Sequence, residues 1–271
     1  MGKGFEVKRF GIPDKSGGIK DVFGISPNME LQYSRNVPFT NTKSVLLDGI
    51  NKCINITSVQ VALASSTVGT FNFWVKPVTA TPAGSEIITN FGDTDGSSEL
   101  ILFIAPTTGK CRAYLRVGGA FRWDLSTDAV ALTSGVWNMV SIVKGIEPAI
   151  YINAVKVAQT FSVSVDKTLW LNDLPLVDNA HIGCRNINSL GHSLYFNGNF
   201  DESLFIERAL TQPQLLDIYN GGVPKDETAI ANGISQFRID GDIVPTATDA
   251  IGSNNGTYIN VIQADIVNDV P

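Results

Sequence analysis

The sequence predicts an all-β protein, a two-sheet antiparallel sandwich with one short helix and extended terminal segments. Three observations point there. The 271 residues include 25 glycines and only 17% charged side chains, with Val, Ile, Thr, Phe and Ser prominent, a composition that favours strands. Short apolar runs, about twelve of them, recur at roughly 8–12-residue spacing between turn-forming Gly, Asn, Asp and Pro. Clear helix start and stop signals occur in one place only, after residue 210.

Residues 1–42 mix Gly, Pro, Asn and charges (GIPDKSGG, SPNMELQYSRNVP) with no sustained period, and read as an extended arm ordered by contact. From Lys43 the pattern changes. Residues 44–49 (SVLLDG) and 53–57 (CINIT) flank a Gly-Ile-Asn-Lys turn, a hairpin-like signal. Residues 71–77 alternate Phe71, Phe73 and Val75 on one face and stop at Pro77. SEIITNF and SELILFIAP follow, split by the polar loop 92–98. CRAYLRV and AFRWDL meet at Gly118-Gly119, a tight-hairpin composition. GVWNMVSIVKG (135–145) pairs with PAIYINAVKVAQTF (148–161), where Asn153-Ala154 forms a turn inside the second run. AHIGCR, HSLYFNGNF and DESLFIE then lead to the helix. Thr211 is its N-cap, Leu215, Leu216 and Tyr219 are its apolar positions, and Gly221-Gly222 end it.

Charge and composition exclude several function classes. The net charge is −6 and no basic run exceeds Lys8-Arg9, so no electrostatic footprint for nucleic acid is present. No apolar run approaches the roughly 18 residues of a membrane span, so no membrane insertion is expected. The first residues lack an apolar stretch of secretory type, which leads to the expectation of a protein assembled in a host cytosol. Cys53, Cys111 and Cys184 are odd in number and widely spaced, without disulfide or zinc spacing, and are expected as small buried side chains.

The segments LLDGINKCINI, FNFWVKP, GVWNMVSIVKG with AIYINAVKV, and FDESLFIERAL stand in an order and spacing that resembles laminin-G-like members of the concanavalin-A-like jelly-roll family. The resemblance covers residues 43–222. It implies an N-terminal arm (1–42), a jelly-roll β-sandwich (43–222) and a C-terminal extension (223–271). The extension is expected to lay one or two edge strands along the domain or a neighbour. Its strand, Asp, Gly-Ser-Asn-Asn-Gly-Thr, strand layout resembles flanking segments of laminin-G-like proteins from marine phages.

The resemblance implies binding of surfaces or glycans more than chemistry. The expected function is a non-enzymatic structural or adhesive protein of a virus particle: a phage capsid decoration, fibre or tail component. Its expected partners are other virion proteins, further copies of itself (a trimer favoured) and a host-surface glycan. A free bacterial carbohydrate-binding lectin module is the alternative, and a glycoside hydrolase a remote one.

Catalysis has no visible home in the sequence. A retaining glycosidase needs two carboxyls roughly 5–5.5 Å apart. Asp201 and Glu202 are adjacent on one strand, so alternation sends them to opposite faces, and no Glu-x-Asp-x-x-Glu pattern occurs. His181 and His192 fall in different strands with no Gly-x-Ser-x-Gly elbow. Calcium, if bound, would use Asp48, Asp93, Asp95 and Asp201 at strand ends and loops. The plainer role of Asp48 is to cap the turn after it, and that of Asp93 and Asp95 a solvated loop. For a glycan, Trp123, Trp170 and Tyr195 with Asn197 are the aromatic and amide candidates, whereas Trp74 and Trp137 belong to core strands.

Overall fold

Alternation along the strands sorts the side chains into one shared interior and two outer faces. The computed structural model describes residues 39–187 and 191–271, together with the short antiparallel pair β1 (Ile12–Pro13) and β2 (Ile19–Lys20). Contacts divide the chain into two units, Met1–Pro38 and Phe39–Pro271. Most of the arm expected at 1–42 therefore lies outside the described residues.

The second unit begins with β3 (Ser44–Asp48), β4 (Cys53–Asn55), helix α1 (Thr57–Leu63), β5 (Gly69–Pro77), β6 (Glu86–Gly92) and β7 (Glu99–Ile104). It continues with β8 (Cys111–Val117), β9 (Ala120–Thr127), β10 (Asn138–Lys144), β11 (Pro148–Ile152), β12 (Val155–Lys156) and β13 (Gln159–Ser164). Then come β14 (Asn179–Ile182), β15 (Arg185–Asn186), β16 (His192–Ser193), β17 (Asn197–Ile206) and helix α2 (Gln212–Tyr219). The chain closes with β18 (Gly233–Phe237), β19 (Thr246–Ala247), β20 (Gly256–Ile259) and β21 (Ile266–Val267).

Two antiparallel sheets result. One has eight strands in the order β12-β11-β10-β5-β17-β3-β21, with β18 also paired to β17. The other has nine, in the order β13-β9-β8-β7-β6-β14-β4-β20-β19. Phe71, Phe73 and Phe205 from the first sheet meet Phe91, Leu102 and Trp123 from the second in one buried interior. Phe71 stacks on Phe91 with ring centroids 5.2 Å apart. This is the predicted two-sheet jelly-roll sandwich.

The predicted hairpins at Gly118-Gly119 and Asn153-Ala154 form, with Val117 opposite Ala120 and Ile152 opposite Val155. Positive φ at Gly118 (57°) and Gly119 (81°) is the geometry a two-residue turn demands. The segments 44–49 and 53–57 do not form a hairpin. β3 joins the eight-stranded sheet and β4 the nine-stranded one, so their turn is a corner between sheets. A short apolar run bounded by a turn fixes a reversal of direction but not which sheet receives it.

Helix α1 has no counterpart in the sequence reading. It buries Val59, Gln60 and Leu63, an i, i+4 pair of apolar residues within too short a stretch to signal a period. In α2 the Thr211 N–H donates to Gln214 Oε1 at 2.9 Å, as a cap should. The buried stripe of α2 is Leu215 with Ile218, while Leu216 points outward. The C-terminal segment lies along this chain's own sandwich: β18 on β17, β20 on β4 and β21 on β3.

Candidate functional site

The outer face of the eight-stranded sheet is closed. Trp74, Met139 and Leu204 pack there with Leu215 and Ile218 of α2, and Trp74 stacks on Tyr219 at 5.7 Å. The C-terminal tail crosses the same face, where Lys76 and Trp137 both donate to the Asp269 carboxylate at 2.7 and 3.2 Å.

The outer face of the nine-stranded sheet presents a built surface instead. Register places Asp124, Tyr114, Ile101, Asn90, His181 and Asn55 in one row across β9, β8, β7, β6, β14 and β4. At strand spacing the row spans roughly 24 Å. A second row holds Arg112, Phe103 and Ile87, and a third holds Phe121, Arg116 and Glu99. The interior-facing neighbours of these residues are apolar; β6 and β7 are buried on both faces, and the outward side gains exposure only toward β8 and β9.

Three rings form a zipper on this face. Tyr114 meets Phe103 edge-on at 6.0 Å and Phe121 at 5.0 Å. The Arg112 guanidinium lies 5.7 Å from the Phe103 centroid and donates through Nε to Asp124 Oδ1 at 2.7 Å, with a second bond from Nη2 to Oδ2. Phe121 is 40% exposed, leaving its ring available to solvent.

Glu99 is the electrostatic anchor. It is fully buried, and it accepts from Arg185 Nε at 2.8 Å and from Tyr114 Oη at 2.8 Å, with Arg116 Nη2 at 3.0 Å. A buried carboxylate is tolerable only with such partners. Burial, and behind it the charge of Glu99, pushes the Tyr114 phenol up, so it remains a neutral donor. Between Phe103, Tyr114, Ile101, Ile87 and Arg185 lies an open cavity of about 140 Å³. Arg185 reaches it from the β15–β16 hairpin, which crosses the face.

The sequence-selected glycan residues are placed elsewhere. Trp123 and Trp170 are fully buried and stack on one another at 6.4 Å inside the sandwich, so neither offers a ring to a ligand. An inward position on β9 explains Trp123, and Trp170 fills the space beside Phe71. Tyr195 is half-buried; burial, then the thiols of Cys184 and Cys53 and the Asp48 carboxylate, pushes its phenol up to about 12. Asn197 opens β17 opposite Asp48. Neither belongs to the ring zipper. Sequence reasoning missed Phe103, Tyr114, Phe121, Arg112, Arg185 and Glu99. Alternation in CRAYLRV and SELILF sets Arg112 with Tyr114, and Glu99 with Phe103, on one side of their strands, but does not mark them as neighbours of each other or of Phe121 and Arg185.

The four acids do not converge. Asp48 Oδ1 accepts from the N–H groups of Ile50 and Asn51 at 2.9 and 3.0 Å, the turn cap that was its plainer role. Asp93 accepts from Asp95 N and Ser97 Oγ at 2.9 Å each, closing its own loop. Asp95 lies exposed in that loop, and Asp201 is buried in the other sheet. Among the described residues, the ligand atoms that do converge are those of Cys53, Cys184 and His192.

Asp201 and Glu202 correct the alternation argument. A bulge between Asp201 and Leu204, with φ of 43° at Glu202, sets both residues on the outer side of β17. They stand side by side, with Asp201 Oδ1 accepting the Glu202 N–H at 2.8 Å. Asn41 covers Asp201 and Gln236 covers Glu202. The cavity beside Glu202 measures about 10 Å³, room for one water at most. Burial, outweighing the nearby Arg238, pushes the Glu202 carboxyl up to about 8, and burial with the Glu202 charge pushes Asp201 well above the carboxylate range.

Two large antiparallel sheets packed face to face over one apolar interior are a jelly-roll sandwich architecture. The family model of the concanavalin A-like lectin/glucanases superfamily matches residues 48–216, and the chain belongs to that superfamily. A search of curated proteins finds no match. Among solved structures, the CBM40 of the Ruminococcus gnavus IT-sialidase, bound to α2,3 sialyllactose, is similar with a TM-score of 0.54 and 15% identity. The alignment covers 65% of this chain and 97% of that one. A putative carbohydrate binding protein from Bacteroides ovatus has a TM-score of 0.54 and 17% identity, over 85% of this chain and 62% of that chain. The NanB sialidase of Streptococcus pneumoniae has a TM-score of 0.54 and 19% identity, over 64% of this chain but only 27% of its own length. At these identities the likeness is one of fold.

Proposed function

We propose that this protein is a non-catalytic carbohydrate-binding module that uses the outer face of the nine-stranded sheet. The observation that carries the reading is the part-exposed Phe121 ring on Tyr114, backed by the buried Phe103 and flanked by the pre-paired Arg112–Asp124, with an open cavity on the other side of Tyr114 that Arg185 helps to line. Sugars present an apolar ring face and a rim of hydroxyls. A ring platform with oriented donors and acceptors matches both. The fold likeness to carbohydrate-binding modules supports the same reading. Against hydrolysis stands the carboxyl pair Asp201–Glu202, shut beneath Asn41 and Gln236 beside a space too small for a sugar.

The setting we propose is a virus particle, where many copies convert weak sites into firm adhesion. Three free, buried cysteines suit a protein assembled in a reducing compartment, and the layout of the C-terminal segment supports that setting. Homo-oligomerisation, a trimer favoured, belongs to the same proposal. The second reading, a free bacterial lectin module, draws on the Bacteroides ovatus likeness over 85% of this chain.

A glycan array with the wild-type protein, Phe121→Ala and Arg112→Gln tests the binding reading. The expected outcome is binding of roughly micromolar to millimolar strength per site in the wild type, lost in both variants while their circular dichroism is unchanged. Release of reducing sugar from any bound polysaccharide would overturn it.

A further inference from the structure

Cys111 faces the interior and packs in the main core, as a small apolar residue does. Cys53 and Cys184 belong to none of the apolar clusters of the described residues, although both are fully buried. Cys53 sits on β4, whose interior-facing residue is Ile54, so its thiol lies on the outer side of the nine-stranded sheet. Cys184 reaches the same spot because Gly183 turns the chain sharply after β14. Gly183 has φ of 80°, and a Cβ there would stand 2.3 Å from Leu47 Cδ1. β16 then brings His192 across the sheet. The two sulfurs and one His192 nitrogen all lie within 4.8 Å of one another.

A fourth donor stands alongside. His181 is fully buried, on the outward side of β14, and its Nε2 is 3.1 Å from Nε2 of His192. Its Nδ1 is buried without a hydrogen-bond partner. Two thiols and two imidazoles gathered in one place, two of them 131 residues apart in sequence (184 − 53), have the chemistry of a soft divalent-metal site.

We propose that Cys53, Cys184, His192 and His181 bind one zinc ion as a structural Cys2His2 site that clips the β15–β16 hairpin to the sheet. Tetrahedral zinc with bonds of roughly 2.0–2.3 Å sets ligand atoms roughly 3.3–3.8 Å apart. The His181–His192 approach of 3.1 Å is close to that edge. His181 lies outside the 4.8 Å group as it stands, and contraction around the ion brings its Nε2 in beside that of His192. On binding, the two thiols release their protons to solvent as zinc–sulfur bonds form, and no electron changes hands. The clip fixes Arg185, one residue beyond Cys184, against Glu99. The proposal stands on the donor set alone and does not rest on glycan binding.

The test uses the full chain, expressed with zinc and purified under reducing, anaerobic conditions. Elemental analysis should give one zinc per chain after gel filtration. Replacement by cobalt should give the intense visible bands of a tetrahedral ion and thiolate-to-cobalt charge transfer, a readout that needs no variant. Cys53→Ser and Cys184→Ser should lose metal and charge transfer, Cys111→Ser should keep both, and His181→Gln should weaken and alter the cobalt bands. Removing zinc with a chelator should lower the melting temperature. Zinc at background in the wild type, or retained in the Cys53→Ser, Cys184→Ser double variant, would overturn the proposal. So would a Cys53–Cys184 disulfide found by peptide mapping of the anaerobic protein, or cobalt bands unchanged in His181→Gln.

Discussion

On the outer face of the eight-stranded sheet, Trp74 and Leu204 lie beneath α2 and the C-terminal tail; on that of the nine-stranded sheet, Phe121 and Arg112 meet solvent. The strands behind both faces contribute to the same interior, so core burial is not what separates them. The difference lies in what each outward row carries. Trp74, Met139 and Leu204 are apolar and need a cover, which α2 supplies through Leu215 and Ile218. Asp124, Tyr114, Asn90 and Glu99 satisfy one another or neighbouring arginines and need none. The nine-stranded face stays part-exposed where β8 and β9 carry Arg112, Tyr114 and Phe121, whereas its apolar Ile87, Ile101 and Phe103 are buried just as Trp74 and Leu204 are.

The largest effect is expected at Trp74, the bulkiest buried side chain of the closed face. Trp74→Ala should destabilise the fold by about 3–5 kcal/mol in a denaturant titration, the usual cost of deleting a buried aromatic side chain. A loss under about 1 kcal/mol would mean that α2 does not seal this face.

Glu99→Gln is the next largest. It leaves Arg185 and Arg116 facing each other without their countercharge, an expected loss of about 3 kcal/mol, the lower end for a buried pair because both arginines keep some solvent contact. Unfolding of the variant against wild type measures it. An unchanged midpoint would show that the open face is not held by this anchor.

The covered face should also make stability depend on pH. The Glu202 carboxyl is raised from 4.5 to about 8, so the folded state binds its proton more tightly than the unfolded chain. Its stabilising contribution is complete below pH 4.5 and is lost as pH rises through about 8. Urea midpoints between those limits should fall with pH in the wild type and fall less in Glu202→Gln. Equal slopes in the two proteins would remove Glu202 as the cause.

Phe121→Ala should have the smallest effect on stability, under about 1 kcal/mol, since the ring is already part-exposed. The same change should abolish array binding. A large loss of stability would make Phe121 a packing residue and place the ligand elsewhere.

Sequence alone determined the sandwich, its two tight hairpins and the capped helix α2. These depend on local signals: alternation with period 2, a Gly-Gly pair and an Asn able to take positive φ, and a Thr four residues ahead of the first buried leucine of the helix. It also placed Asp48 in its turn, because a capping carboxylate finds its donors within four residues. Only the tertiary structure decided that β3 and β4 part into different sheets. It also decided that Trp123 and Trp170 face inward, and that the bulge at Glu202 sets two acids side by side. The gathering of Cys53, His181, Cys184 and His192, like that of Glu99 with Arg185, was decided at the same level. The physical reason is range. Strand order and register join residues many tens of positions apart, and the choice among pairings is made by the summed burial of a whole sheet face, which no short window of sequence contains.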